Sequence, residues 1–449
     1  MTVDRSSRHD TLSALERQIC DRIAAREDEL VQLLRTLIAF DTRVPVPGAP
    51  ARDEHALQAY LARRLQAGGD RVHLAEPDPR LVAGHRMIPD GFDFAGRPQL
   101  VARFPGSGDG PTLLCNGHID VVDTAPLDQW QHPPFAGTLV DGRVHGRGAC
   151  DMKGGVASMV FAAEVLTAAG VQLAGELIVN PVSEEESTGA GGLVSARTLR
   201  ADAAIVTEPT ALDVWTACRG SLLATITIPG RSGHAGLPAR HPDKGGAVNA
   251  IEKLGVILDA IHRLRDEWAL RYRHPFLSAP DCVPTIVQGG EWVVSYPSSC
   301  RLECHLEYLP EQADDNGWGA RVEHEFEQWI ARAAAADPWL AGHPPQISWE
   351  MGGVPPAQVS VSDPIVTCAL AAVRAVGHAD ARIGGMDNWH DGATLTVEAG
   401  IPAICLGPGD LRLAHTTAEY VPVAELVTCA QALAVTAMRF CGVARSRSR

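Results

Sequence analysis

Short apolar runs alternating with helical segments constrain this chain more than any other feature. The runs TLLCNG (112–117), ELIVNPV (176–182) and AAIV (203–206) are too short for helices, and helical stretches at 154–170 and near Gly192 to Leu199 separate them. Buried strands joined by helices are the pattern of an α/β domain with a largely parallel sheet. Upstream, Leu15, Ile19, Ile23, Leu30, Leu33, Leu34 and Leu37 recur at helical spacing. They predict one or two amphipathic helices from about Leu12 to Phe40, ended by Pro45 and Pro47. A further helix is expected from Glu54 to Leu65, and then loops rich in Pro, Gly and Asp as far as Gly96.

At Val214 the alternation stops. From there to about Glu350 the order is strand, helix, strand, strand, helix, strand: SLLATITI, GAVNAIEKLGVILDAIHRL, TIVQGG, RLECHLEYL, ARVEHEFEQWIARAAA and QISWE. This reads as an inserted α+β domain. The α/β pattern resumes at Pro364 with helix IVTCALAAVRAVG and finishes with strand PAICLG and helix AELVTCAQALAVTAMRF. A chain of 449 residues is too long for one ordinary core, so two domains are expected.

The net charge of -15 argues against a nucleic-acid partner, because phosphate backbones are held by clustered Lys and Arg. Eleven cysteines form no CxxC pair, and their odd number cannot pair completely within one chain, which fits reduced thiols. The start, MTVDRSSRHD, is polar, and no run approaches the roughly 18 apolar residues of a membrane span. The expected address is cytoplasmic, with no membrane partner.

In open α/β sheets ligands bind at the carboxyl ends of the strands. The residues found there are metal-ligand types: His118 and Asp120 after TLLCNG, Glu184, Glu185 and Glu186 after ELIVNPVS, Glu208 after AAIVT, and His415 after AICLGPGDLRLA. Asp151 lies between the turn GRGAC and the helix beginning near Lys153. Packed together without a cation these carboxylates would repel one another and take up protons, whereas divalent metal makes the cluster favourable. Imidazoles and carboxylates without thiolate suit zinc, with cobalt or manganese able to substitute. Two ions would share a carboxylate, and Asp151 is the natural bridge. Asp120, two residues from His118, is read as the carboxylate that orients its imidazole. In the SEEES run one glutamate is expected to bind metal and another to act as base, and spacing leaves open which does which.

With these residues and motifs in view, the chain resembles the M20 family of metallopeptidases and deacylases, which includes acetylornithine deacetylase and succinyl-diaminopimelate desuccinylase. The motifs are NGHIDVV, GRGACDMKGG, SEEESTGAGG, TEPT, GRSGHAGLP and GPGDLRLAHTTAEYV, in that order along most of the chain. The resemblance implies a discontinuous catalytic domain (1–213 and 351–449), its mixed, largely parallel sheet flanked by helices. It also implies that the α+β insertion (214–350) is a lid that mediates homodimerisation. It further implies two zinc ions, with His118, Asp151 and Glu208 on one and Asp151, Glu186 and His415 on the other, and Glu185 as general base. Glu184 receives no catalytic role. His234 of the insertion would reach a neighbouring active site and stabilise the tetrahedral oxyanion. Asn249, Asp387 and Gly409 are candidate substrate contacts.

The expected reaction is therefore zinc-dependent hydrolysis of the amide bond of a small N-acyl amino compound, with Glu185 activating the attacking water. A metallo-dipeptidase or carboxypeptidase is the alternative within enzymes, and a metal-free homologue that binds through its lid is the alternative outside them. Two departures from the resemblance bear on substrate. EWVVSYPSSC and CHLEYLP lack the asparagine and arginine with which desuccinylases hold a carboxylate, and Glu307 stands about where that arginine would lie. The stretch GGMDNWHDGATL is longer than in many relatives, and its Asp387, Trp389, His390 and Asp391 either line the pocket or fill a loop.

Overall fold

The computed structural model describes residues 11–44, 51–66, 71–238 and 240–444. Pro45, Pro47 and the polar start lie outside them. The chain divides into two compact units. The first comprises the residues up to Ala217, with 358–385 and those from His390 onward; the second comprises Cys218–Ala357 and the short segment Met386–Trp389.

In the first unit the predicted apolar runs are the adjacent strands Leu177–Val182, Leu113–His118, Ala203–Val206 and Ala403–Cys405, each parallel to the next. All are buried along their length, which is why they read as continuous apolar runs rather than alternations. Antiparallel strands flank this core, making the nine-stranded sheet mixed and largely parallel, as the sequence implied. One of them corrects the sequence reading. Arg71–Ala75, expected as loop, is a strand paired antiparallel with Gln99–Phe104. Its RVHLA is a half-exposed edge strand, too short and too weakly alternating to be legible.

The first helical segment is two helices, Ala14–Ala24 and Glu27–Ala39, and Ser13 and Glu16 form a capping box on the first. Helix Val423–Phe440 is the described helix long and apolar enough to cross a membrane; most of it is buried within its own unit, packed on Lys153–Ala168 and Pro364–Ala375.

The second unit is a four-stranded antiparallel sheet, in the order Asp281–Gly289, Ser299–Tyr308, Gly220–Pro229, Gln346–Val354. Strand Ser299–Tyr308 alternates strictly, burying Cys300, Leu302, Cys304, Leu306 and Tyr308. Helices Ala250–Arg271 and Ala320–Ala336 contribute Ile257, Ile261, Leu264, Trp268, Phe326 and Ile330 to the same core.

Candidate metal centre

The parallel strands of the first unit end on the acidic and imidazole residues, and the chain brings these together. His118 Nε2 lies 3.0 Å from Asp151 Oδ1, 3.8 Å from Glu208 Oε1 and 3.9 Å from Glu185 Oε2. On the other side, His415 Nε2 lies 3.3 Å from Asp151 Oδ2 and 3.1 Å from Glu186 Oε2. Two candidate ligand sets therefore converge, His118–Asp151–Glu208 and Asp151–Glu186–His415, each with its donor atoms within 4.8 Å of one another. They share Asp151, whose two oxygens face different imidazoles. Asp151 and His118 are buried, while His415 is exposed on the outer side and holds a left-handed backbone at φ 62°.

The electrostatics of the cluster test whether cations belong there. Burial pushes the Glu185 and Glu208 carboxyls well above the usual carboxylate range, with His118 only partly opposing it. Burial would depress the His118 imidazole, but the Asp151 hydrogen bond and the charges of Glu185 and Glu208 hold it well above its ordinary value. Hydrogen bonds to Asp151 and Glu186 raise His415 to about 10. Glu185, Glu208, His118 and His415 thus hold protons that divalent cations would displace, and the donor set of carboxylates and imidazoles fits two such ions.

Asp120 requires a correction. The atom that contacts His118 Nδ1 is the Asp120 main-chain carbonyl, at 2.9 Å, whereas its nearest carboxylate oxygen is 3.8 Å away. That carboxylate instead accepts from the amides of Glu185 (3.4 Å) and Glu186 (3.0 Å), so Asp120 orients the imidazole through its backbone and the glutamate turn through its side chain. Glu184 is a turn residue: at φ 72° its carboxylate is paired with Arg97 and accepts from the Ser187 (2.6 Å) and Thr188 (3.3 Å) hydroxyls.

The other candidates have structural work. Gly409 gives its amide to Glu425 (2.7 Å) and so has no N–H left for a substrate. In the second unit Asn249 caps helix Ala250–Arg271 through the Ile251 amide (3.0 Å), and Asp387 accepts from the Ser278 amide and hydroxyl, both at 2.7 Å. Of the long stretch, His390 caps helix Asp391–Ala399, and Asp391 is buried with neither carboxylate oxygen hydrogen-bonded among the described residues. His234 lies on a two-residue strand, Gly233–His234, paired with Ser295–Tyr296.

Sequence reasoning missed Glu419 and Arg147, a buried ion pair at 2.6 Å. Glu419 Oε1 accepts from the amides of Cys150 (3.0 Å) and Asp151 (3.1 Å), holding the main chain of the shared ligand. Both residues stood inside quoted motifs, but their contact spans 272 positions and no local pattern reports it.

Residues 114–439 match the profile of Peptidase family M20/M25/M40. The chain belongs to the M20 family. Among similar proteins, acetylornithine deacetylase of Myxococcus xanthus is 31% identical over 91% of this chain and 97% of its own length. The N-formyl-4-amino-5-aminomethyl-2-methylpyrimidine deformylase of Bacillus subtilis (strain 168) is 29% identical over 90% of this chain and 93% of its own. Among solved structures, a tripeptidase from Staphylococcus aureus superposes with a TM-score of 0.70 at 19% identity, covering 92% of this chain and 98% of that one. As an M20 member with these relatives, the chain is an amidohydrolase.

Proposed function

We propose that this M20 hydrolase is a two-zinc deacylase that removes the acyl group from a small N-acyl amino compound. The observation that carries the reading is the pair of ligand sets sharing Asp151, with Glu185 beside them and outside both. His118, Asp151 and Glu208 would hold one ion and Asp151, Glu186 and His415 the other; imidazole and carboxylate without thiolate suit zinc, with cobalt or manganese as substitutes. The bound cations would supply Lewis acidity toward the amide carbonyl and toward water. Glu185 accepts the proton of the attacking water and returns it to the departing nitrogen, a role suited to an unligated carboxylate 3.9 Å from the His118 imidazole. Deacylation rather than peptide cleavage is supported by the relatives that span nine-tenths of the chain, named as a deformylase and a deacetylase.

His234 is assigned the oxyanion, across a homodimer formed by the second unit. Its Nδ1 accepts from the Gly236 amide at 3.0 Å, so the neutral ring carries its proton on Nε2 and is a donor there. Edge strand Asp281–Gly289 exposes Val283, Ile286 and Val287, an apolar edge of the kind that pairs with another chain. Sedimentation should give a dimer mass for the wild type and a monomer for Ile286→Lys with Val287→Lys.

The function is tested with zinc-loaded protein on N-acetyl and N-formyl amino compounds against dipeptides. Glu185→Gln is expected to keep its zinc and lose roughly 10²–10⁴-fold in kcat, and His118→Ala to lose metal in elemental analysis. Hydrolysis of dipeptides alone would overturn the deacylase reading, and wild-type turnover by Glu185→Gln would overturn the mechanism.

A further inference from the structure

The second unit carries a cavity of about 460 Å³ whose lining includes Ser232, His234, Leu237, Arg240 and Tyr296. The wall bearing Arg240 is built rather than loose. Arg231 Nη1 donates to the carbonyls of Pro242 (2.8 Å) and Gly246 (3.1 Å), while its guanidinium lies over the Trp339 ring, 4.6 Å from the centroid. At Gly246 a Cβ would lie 1.9 Å from the Arg240 carbonyl oxygen, so only glycine lets the loop fold back at that point. Opposite, the Gly233–His234 strand is fixed by its pairing with Ser295–Tyr296.

Arg240 is paired with no carboxylate among the described residues, in a chain with a net charge of -15. The second unit's buried arginine, Arg219, is by contrast engaged at all three nitrogens: Glu307 holds it, and it donates to the carbonyls of Asp387 (2.8 Å) and Ala279 (3.1 Å). The place where Glu307 stands therefore offers a substrate no cation. Arg240 does, and it shares one cavity with the imidazole assigned to the oxyanion.

We infer that Arg240 is a specificity-determining residue that holds an anionic group, a carboxylate, on the N-acyl substrate. A guanidinium matches a carboxylate in geometry and charge, and Tyr296 and Ser232, which line the same cavity, bring hydroxyls that add neutral donors. A cavity of this volume suits a ligand of small-molecule size, so the carboxylate and the scissile amide belong to one compact molecule. The inference rests on the role given to His234 above.

The test compares N-acetyl-L-alanine, with its carboxylate on the amine side, N-succinyl-L-alaninamide, with its carboxylate on the acyl side, and the neutral N-acetyl-L-alaninamide. One anionic compound should be preferred, and Arg240→Gln should raise its KM roughly ten- to hundred-fold with kcat little changed and the neutral compound unaffected; Arg240→Lys should recover part of the loss. Calorimetric titration of the same compounds into metal-stripped protein separates this inference from the deacylase reading, because binding is then read without turnover and no cation competes for the carboxylate. Weaker binding of the preferred anion by the same factor in Arg240→Gln supports the inference even if no compound is hydrolysed. Equal binding of anionic and neutral compounds, or a preference that survives Arg240→Gln, overturns it even if the protein is a proven deacylase.

Discussion

At the scale of single residues, the centre depends on groups that never touch the reacting atoms. Glu419 is the clearest. Its carboxylate lies between the Arg147 guanidinium and the amides of Cys150 and Asp151, and it follows His415 by one turn of loop, so it ties together the segments carrying the shared ligand and the outer imidazole. Burial raises its pKa to about 7, with Arg147 opposing the shift. Glu419→Gln keeps the shape but places an amide where one face needs an anion. We expect the variant to fold, with unchanged far-ultraviolet circular dichroism, and to bind zinc roughly ten- to hundred-fold more weakly in a chelator competition. Its cobalt-loaded absorption spectrum should also shift, a change that loss of packing alone would not produce. Glu419→Ala should cost about 3–5 kcal/mol of stability, because it strands a buried guanidinium.

At the scale of elements, helix Asp391–Ala399 carries a built-in sensitivity to acid. Its N-cap His390 accepts from the Gly392 amide at 3.0 Å, its Nε2 lies 3.3 Å from Cys405 Sγ, and burial lowers its pKa to about 4. Between that value and the unfolded value near 6.5 the unfolded chain binds more protons, so stability rises with pH across the window and is lost as pH falls through it. The whole window is worth about 3 kcal/mol. His390→Asn replaces the capping ring nitrogen with a capping oxygen and removes the titration. Urea unfolding at pH 7, 6 and 5 should show the wild type weakening faster than the variant, and parallel losses would refute the assignment. The elements that sequence revealed were those whose burial imposes a pattern, such as the apolar run Leu113–His118 or the period-two strand Ser299–Tyr308. Those it missed have too few residues for any period, Gly233–His234 among them, or lie at a half-exposed edge as Arg71–Ala75 does. The candidate ligands His118, Glu186 and Glu208 stood out because they lie at or just after the ends of parallel strands, whereas Asp151 lies between a turn and helix Lys153–Ala168. The true partner of the Asp120 carboxylate was not legible, because it is a pair of main-chain amides 65 and 66 positions away.

At the scale of the whole molecule, the centre sets how stability depends on pH, and metal should reverse the sign. In the metal-free protein burial raises the Glu185 and Glu208 carboxyls, and acidic neighbours raise His118 and, to about 10, His415. All four groups are shifted the same way. Each holds a proton in the folded state at pH values where the unfolded chain has released it, beginning near the ordinary carboxylate value for the glutamates and near 6.5 for the histidines. Through these four groups the folded state binds more protons than the unfolded one, and their contribution to stability falls as pH rises; buried Lys153, lowered to about 7, acts the other way above that pH. Asp151, held low by His118 and His415 against the pull of burial, acts in the opposite direction but only in strong acid. With cations bound the same ligands are deprotonated in the folded state, so protons compete with metal and stability rises with pH until that competition ends. Chelator-treated protein should accordingly lose Tm between pH 6 and 9, while protein with excess zinc should gain or hold it. The two curves should diverge by more at each step up in pH, since His415 keeps titrating to about 10. Parallel curves would mean that these side chains do not gather around a cation in solution.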